Sequence, residues 1–257
     1  QARPLLDFSS IHGYRAGEKA EFRREFPSHV FRRAGTTIEP AQSRWTHVPV
    51  QLFPATAAYP QSCRTRGLYR SQAAFLVQKG MYEYSRARAG PYAKVLFREQ
   101  AFIEAIEASR WRAFPLGLAM VAELVDGVLR PFVGNDRQTA LEGLSALVLG
   151  VFDRYPVPAA LGAAEWSGLR QELERQLGLI GTHPPKLVKD IPERFTKKYF
   201  GLMPIHEKLR GSDYPTIRNY LRVTMCNICD ELKKRMDAQA VAALLHGHAE
   251  ARPDGVA

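Results

Sequence analysis

An all-α fold, a bundle of roughly six or seven helices behind an irregular, proline-punctuated basic N-terminal arm, is what this sequence predicts. Three observations carry that prediction. From Ser71 onward apolar residues recur at spacings of three and four, the period of a helix buried along one side. Seventeen prolines divide the chain, and because proline lacks an N–H and clashes with the preceding turn, they mark helix starts and stops. Strand-like alternation is confined to the short run Val48, Val50, Leu52.

Residues 1–70 form the arm. A short charged helix around Gly17 to Phe26 is followed by Pro40, Pro49, Pro54 and Pro60, which suit extended chain lying on a body. The bundle is assigned to residues 71–245. Ala74, Val77, Met81 and Tyr84 share one face of a first helix that stops near Gly90 and Pro91. Phe102, Ile103 and Ile106 belong to a second, from Ala93 to Phe114, and Pro115 is placed in the first turn of a third. There Val121, Leu124, Val128 and Phe132 make a wide apolar face. Leu141, Leu144, Leu147, Val148 and Val151 form a fourth helix before Pro156 and Pro158. A weaker amphipathic helix, Ala164 to Leu179, carries Leu169, Leu173 and Leu177. The final helix has Ser212 or Asp213 as its cap and Pro215 in its first turn, and its face of Ile217, Leu221, Met225, Ile228 and Leu232 runs on to Leu245. Residues 246–257, polar and carrying Gly247, Pro253 and Gly255, read as a flexible tail.

Hydrophobic residues make up 46% of the chain, enough to bury a core, which excludes wholesale disorder. A membrane span is excluded as well. The apolar stretch from Ala113 to Val133 contains Glu123, Asp126 and Arg130, and that from Leu141 to Phe152 is too short to cross hydrocarbon. Gln1 opens a stretch without the pattern of a signal peptide, and three cysteines are too few for a disulfide framework. A soluble protein of a reducing intracellular compartment is expected: the cytoplasm, or an organelle interior if a targeting segment has been removed.

Motifs for catalysis do not emerge. The chain lacks a Gly-rich phosphate loop and the G-x-S-x-G elbow, and His206-Glu207 is followed by Lys208, Leu209 and Arg210 in place of a second zinc-binding histidine. Neither Glu104 nor Glu123 has a histidine three residues on, as a di-iron bundle requires. Cys226-Asn227-Ile228-Cys229 lies about three turns inside a predicted helix, not at the N-terminus where a redox pair gains a low thiol pKa. A zinc site would need two more ligands, and Cys63, His206, His246 and His248 stand at no fitting spacing, so Cys229 is expected to pack beside Met225 and Leu232. Glu99, Glu104, Glu107 and Arg110, like Glu123 with Asp126, are read as solvated faces and helix pairs such as Glu107 with Arg110. Tyr82, Tyr84, Trp111, Phe114, Phe132, Phe152 and Tyr155 are read as core before pocket. No catalytic residue, cofactor or metal ligand is assigned.

Charge gives the remaining direction. The net charge is +10, and it concentrates where eleven Lys and Arg face five Asp and Glu in residues 1–70, and seven face three in residues 182–210. In the second segment Ile191, Phe195, Tyr199 and Leu202 recur at helical spacing while basic residues project elsewhere, making a short basic amphipathic helix. Lys186, Lys189, Arg194, Lys197 and Lys198 are the expected partner-binding residues. The expected function is a non-enzymatic binding or scaffold protein that meets a protein complex or an anionic surface, membrane or nucleic acid, through its basic segments. The alternative is a helical enzyme or carrier with an apolar pocket between helices and buried carboxylates such as Glu104 or Glu123.

Overall fold

The computed structural model describes residues 72–134 and 136–250, and the arm, its short helix, Cys63 and residues 251–257 lie outside them. Every regular element among the described residues is helical, as the apolar period requires. A π-helical turn, Phe75–Lys79, leads into α1, Gly80–Ala89. A 3₁₀ turn, Gly90–Tyr92, and the single-turn α2, Ala93–Leu96, connect to α3, Gln100–Leu129. Then follow α4, Arg137–Phe152; α5, Ala163–Gly178; α6, Glu193–Gly201; the single-turn α7, Glu207–Arg210; α8, Tyr214–Arg235; and α9, Ala238–Glu250. Seven of these helices have nine residues or more, which matches the expected bundle.

The core is organised around α3. Every residue from Ala113 to Asp126 is buried, and α4, α5, α6, α8, α9 and the π-helical turn all pack on this helix. That enclosure explains the first departure from expectation. Pro115 does not begin a helix but sits in the middle of the 30-residue α3. An interior proline costs about 3 kcal/mol through a lost hydrogen bond and a steric clash. Burial of the whole stretch on both sides of it, worth roughly 25 cal/mol per Å² of apolar surface, outweighs that loss.

The second departure is at the other end. The long final helix is broken at Met236 and Asp237, where Met236 adopts an extended backbone and Asp237 accepts a hydrogen bond from the Ala240 amide at 3.0 Å. The chain then turns back as α9, with Val241, Ala242 and Leu245 buried, and continues as helix to Glu250, beyond the end anticipated at Leu245. A short polar side chain bonding a backbone amide three residues on is an N-capping arrangement, so Asp237 supplies the start signal for α9.

Apart from Phe132, which lies beyond α3 and is half-exposed, most positions of the expected faces are in place. Val77, Met81 and Tyr84 of the first helix, Leu144, Leu147, Val148 and Val151 of α4, and Ile217, Leu221, Met225, Ile228 and Leu232 of α8 are all buried. Two glycines allow backbones to touch. A Cβ on Gly143 would stand 2.3 Å from the Leu245 carbonyl oxygen, and one on Gly80 would stand 2.3 Å from the Tyr220 ring.

Candidate functional site

Two carboxylates on α3, Glu123 and Asp126, lie in the core one turn apart, and the basic segment closes over them. Lys186 Nζ reaches Glu123 Oε1 at 2.8 Å from the extended chain before the 3₁₀ turn Val188–Asp190. Arg194 Nη2, from the first turn of α6, reaches Oε2 at 2.9 Å, and His183 Nε2 stands 3.6 Å from Oε1. Neither Glu123 oxygen meets its cation along a hydrogen-bond direction, so charge more than aligned bonding holds this group. Asp126 has cations of its own. Arg130 donates Nε and Nη2 to Oδ2 at 3.0 and 2.8 Å, and Arg137 Nη2 stands 3.3 Å away. The same two arginines donate to the carbonyls of His183 and Gly181, each at 3.3 Å, which pins the 181–183 turn to α3. A buried carboxylate is tolerated only with matched charge, and here four cations supply it.

This arrangement fixes where the five expected partner-binding residues stand. Lys186 and Arg194 face Glu123. Lys198 is half-exposed and 3.6 Å from Glu172 of α5, and the Lys189 carbonyl accepts from Arg222 Nε at 3.2 Å. Lys197 is exposed on α6. The apolar side of that helix is turned into the bundle: Ile191, Phe195 and Tyr199 are buried, and the Tyr199 hydroxyl donates to the Val77 carbonyl at 2.7 Å. The spacing in the sequence showed which face would be buried; it could not show that Glu123, 63 positions before Lys186 and 71 before Arg194, would draw both cations inward.

The carboxylates of the alternative reading are thereby accounted for. Glu123 is matched by cations, Glu104 is exposed and accepts from Gln100 Nε2 at 2.8 Å, and Glu107 pairs with Arg110 at 3.0 Å and accepts from the Trp111 indole at 2.6 Å. Asp213, expected to cap α8, holds the N-cap position, but its side chain turns to α1, accepting from the Tyr84 hydroxyl at 2.9 Å and pairing with Arg88 at 2.8 Å. Burial, reinforced by that carboxylate, pushes the Tyr84 phenol up to about 12.

The aromatic residues separate into two groups. Trp111, Phe114, Phe152, Tyr155 and Trp166 pack ring on ring, with Phe152 stacked on Trp166 at 4.2 Å and Trp111 edge-on to Tyr155 at 5.3 Å. Phe114, Phe152 and Trp166 are buried in the core, and Trp111 and Tyr155 pack edge-on against Phe114. Tyr82 and Phe132, by contrast, are on the surface. A groove of about 440 Å³ lies open to solvent between α4 and the end of α5, floored by Leu141, Leu149, Leu177 and Ile180. Cys226 and Cys229 are buried in α8, and burial pushes the Cys229 thiol up, away from reactivity.

A surface the sequence reading missed lies at the start of the described chain. Phe75, Tyr82, Tyr92 and Val95 are 39%, 45%, 76% and 59% exposed, four large apolar side chains within 21 positions. Lys79, Arg86, Lys94 and Arg98 lie among them, all exposed, with Lys79 Nζ 4.7 Å from the centre of the Phe75 ring. From Phe75 to Arg98 the chain holds five cations and one carboxylate, Glu83. The signal was present as basic residues between exposed aromatics at helical spacing, but charge counted over 71–181 sums to nothing, and the average hid it.

No helix of the described residues is long and apolar enough to cross a membrane. Compared with models of known families, with curated proteins and with solved structures, the chain matches none.

Proposed function

We propose that this protein is a non-enzymatic binding protein, a scaffold that engages an anionic partner through the positive surface of its bundle. The observation that carries the reading is the face from Phe75 to Arg98, where exposed cations alternate with exposed apolar side chains. A folded protein rarely leaves large apolar groups clustered on its surface without a partner to cover them. Neighbouring positive charge selects an anionic one and steers its approach. Lys197 and Lys198, on the outer side of α6, add a second positive element. Against catalysis stands the state of the buried carboxylates, since a general acid or base must be reachable by a substrate, whereas Glu123 and Asp126 are enclosed by Lys186, Arg194, Arg130 and Arg137.

The test is retention of the full chain on a heparin column in a salt gradient. Lys94→Glu with Arg98→Glu should elute at clearly lower salt than Lys233→Glu with Lys234→Glu, which has the same net charge but carries its changes at the end of α8. Equal elution of the two variants would remove the face from the proposal.

A further inference from the structure

The face from Phe75 to Arg98 has a shape and composition that narrow the class of its partner, and we infer that it docks on an anionic lipid bilayer surface; this rests on the reading just proposed. Three features point to a membrane and away from a nucleic acid. First, the apolar groups stand out from helix and turn surfaces: Phe75 in the π-helical turn, Tyr82 on α1, Tyr92 in the 3₁₀ turn and Val95 on α2. A surface of projecting side chains suits a planar boundary. Single-stranded nucleic acid is held in a groove that tracks its backbone.

Second, the Tyr82 ring is not an open stacking platform. Tyr82 is met edge-on by Phe97 at 4.8 Å, and Phe97 in turn by Phe102 at 5.2 Å, so they form one packed apolar raft. Val95 has no ring to offer a base, yet it is among the most exposed apolar side chains described. An aliphatic group gains from entering the boundary between headgroups and acyl chains, and tyrosine is enriched at that depth because its ring is apolar and its hydroxyl wet.

Third, the cations are interleaved with the apolar residues. Along the first helix the order is Phe75, Lys79, Tyr82, Arg86, at steps of four, three and four, and Lys94 and Arg98 flank Val95 and Phe97. Basic residues at the rim of a shallowly inserted apolar patch meet anionic headgroups, each contributing on the order of 1 kcal/mol, equivalent to about fivefold in affinity. The amphipathic helix α6 cannot act this way, because Phe195 and Tyr199 are already buried in the bundle.

The experiment is co-sedimentation of the full chain with vesicles of phosphatidylcholine alone and of phosphatidylcholine with phosphatidylserine, at low and high salt, beside gel shifts with generic single-stranded DNA and RNA. Binding should require phosphatidylserine and weaken with salt. Lys94→Glu with Arg98→Glu should lower affinity more than tenfold, and Tyr92→Ser with Val95→Ser should lower it several-fold, while the Lys233→Glu, Lys234→Glu control has a smaller effect. All variants change exposed residues, and circular dichroism checks that each keeps its fold. Vesicle binding untouched by Tyr92→Ser with Val95→Ser, or no greater loss in Lys94→Glu with Arg98→Glu than in the control, would overturn the membrane inference. Charge-dependent binding of nucleic acid without vesicles would overturn it too, yet leave the anionic-partner reading standing. Binding to neither, together with equal elution from heparin, would remove both.

Discussion

The Tyr199 hydroxyl donates to the Val77 carbonyl at 2.7 Å, and that bond joins α6 to a π-helical turn 122 positions earlier. A second buried phenol, Tyr220 of α8, donates to the neighbouring Leu76 carbonyl at 3.1 Å. A π-helical turn holds one residue more than the α-helical ladder accommodates and leaves carbonyls that need other donors. Two tyrosines from two different helices donate here, Tyr199 sharing the Val77 carbonyl with the Gly80 amide. Gly80 follows the turn immediately, and its missing side chain is where the Tyr220 ring and the Tyr199 hydroxyl fit.

Gly80→Ala should therefore be costly despite alanine's better helix propensity. The new methyl would lie 2.3 Å from Tyr220 Cε1 and 2.8 Å from the Tyr199 oxygen, neither at the end of a freely moving side chain. Overpacking of this kind costs about 1–3 kcal/mol, read in chemical denaturation as a lower midpoint at unchanged slope. Gly150→Ala, where nothing lies within 4 Å, is the matched control and should be neutral or slightly stabilising.

Glu123→Gln keeps the shape of the side chain and removes its charge, leaving Lys186 and Arg194 half-buried beside a neutral amide. Breaking one side of a buried ion cluster costs about 3–5 kcal/mol when the partners are fully enclosed, and about 2–3 kcal/mol is expected here, where both cations keep some contact with water. Thermal unfolding of Glu123→Gln with Lys186→Met should recover part of the loss. A double variant no better than the single one would show that the two groups do not act as a pair.

Alkaline pH should destabilise the fold through three phenols. Burial raises Tyr84 to about 12 and pushes Tyr199 and Tyr220 well above the usual phenol value. In the unfolded chain each ionises near pH 10, so above that value unfolding releases protons that the folded state retains. The contribution is intact below pH 10 and falls as pH rises toward the folded-state values, by up to about 1.4 kcal/mol per unit for each phenol. Tyrosinate absorbance followed alongside circular dichroism should show a set of tyrosines that ionise only as helix is lost, and Tyr199→Phe should reduce that set by one. Smooth ionisation of every tyrosine near pH 10 with the helices intact would contradict it.

Much of the bundle was legible because a buried face repeats its period along the chain. Ile217, Leu221, Met225, Ile228 and Leu232 announced α8, and all five are in the core. What stayed hidden were features decided by distant chain. Pro115 reads as a helix start by its local rule and is carried through α3 only because surrounding helices enclose it. The break at Met236 and Asp237 interrupts an apolar period that continues on both sides, so pattern alone joined α8 to α9. The π-helical turn leaves no mark in composition, since its donors come from residues 199 and 220. Among the site residues, the buried face of α6 was visible, but the destinations of Lys186 and Arg194 were not, because an ion pair between residues far apart has no period.

The contact between Gly143 and Leu245 also has a bearing on how the chain is made. Helix α9 lies directly on the backbone of α4 and covers it with Val241, Ala242 and Leu245, yet of all the described elements it is the last to leave the ribosome. Until it emerges, Ala140, Leu144 and Leu147 of α4 belong to an unfinished core, and the nascent bundle exposes the kind of apolar surface that chaperones recognise. A chain truncated before Ala238 would carry every ion pair of the Glu123 cluster and still present that apolar surface to quality control in the cell.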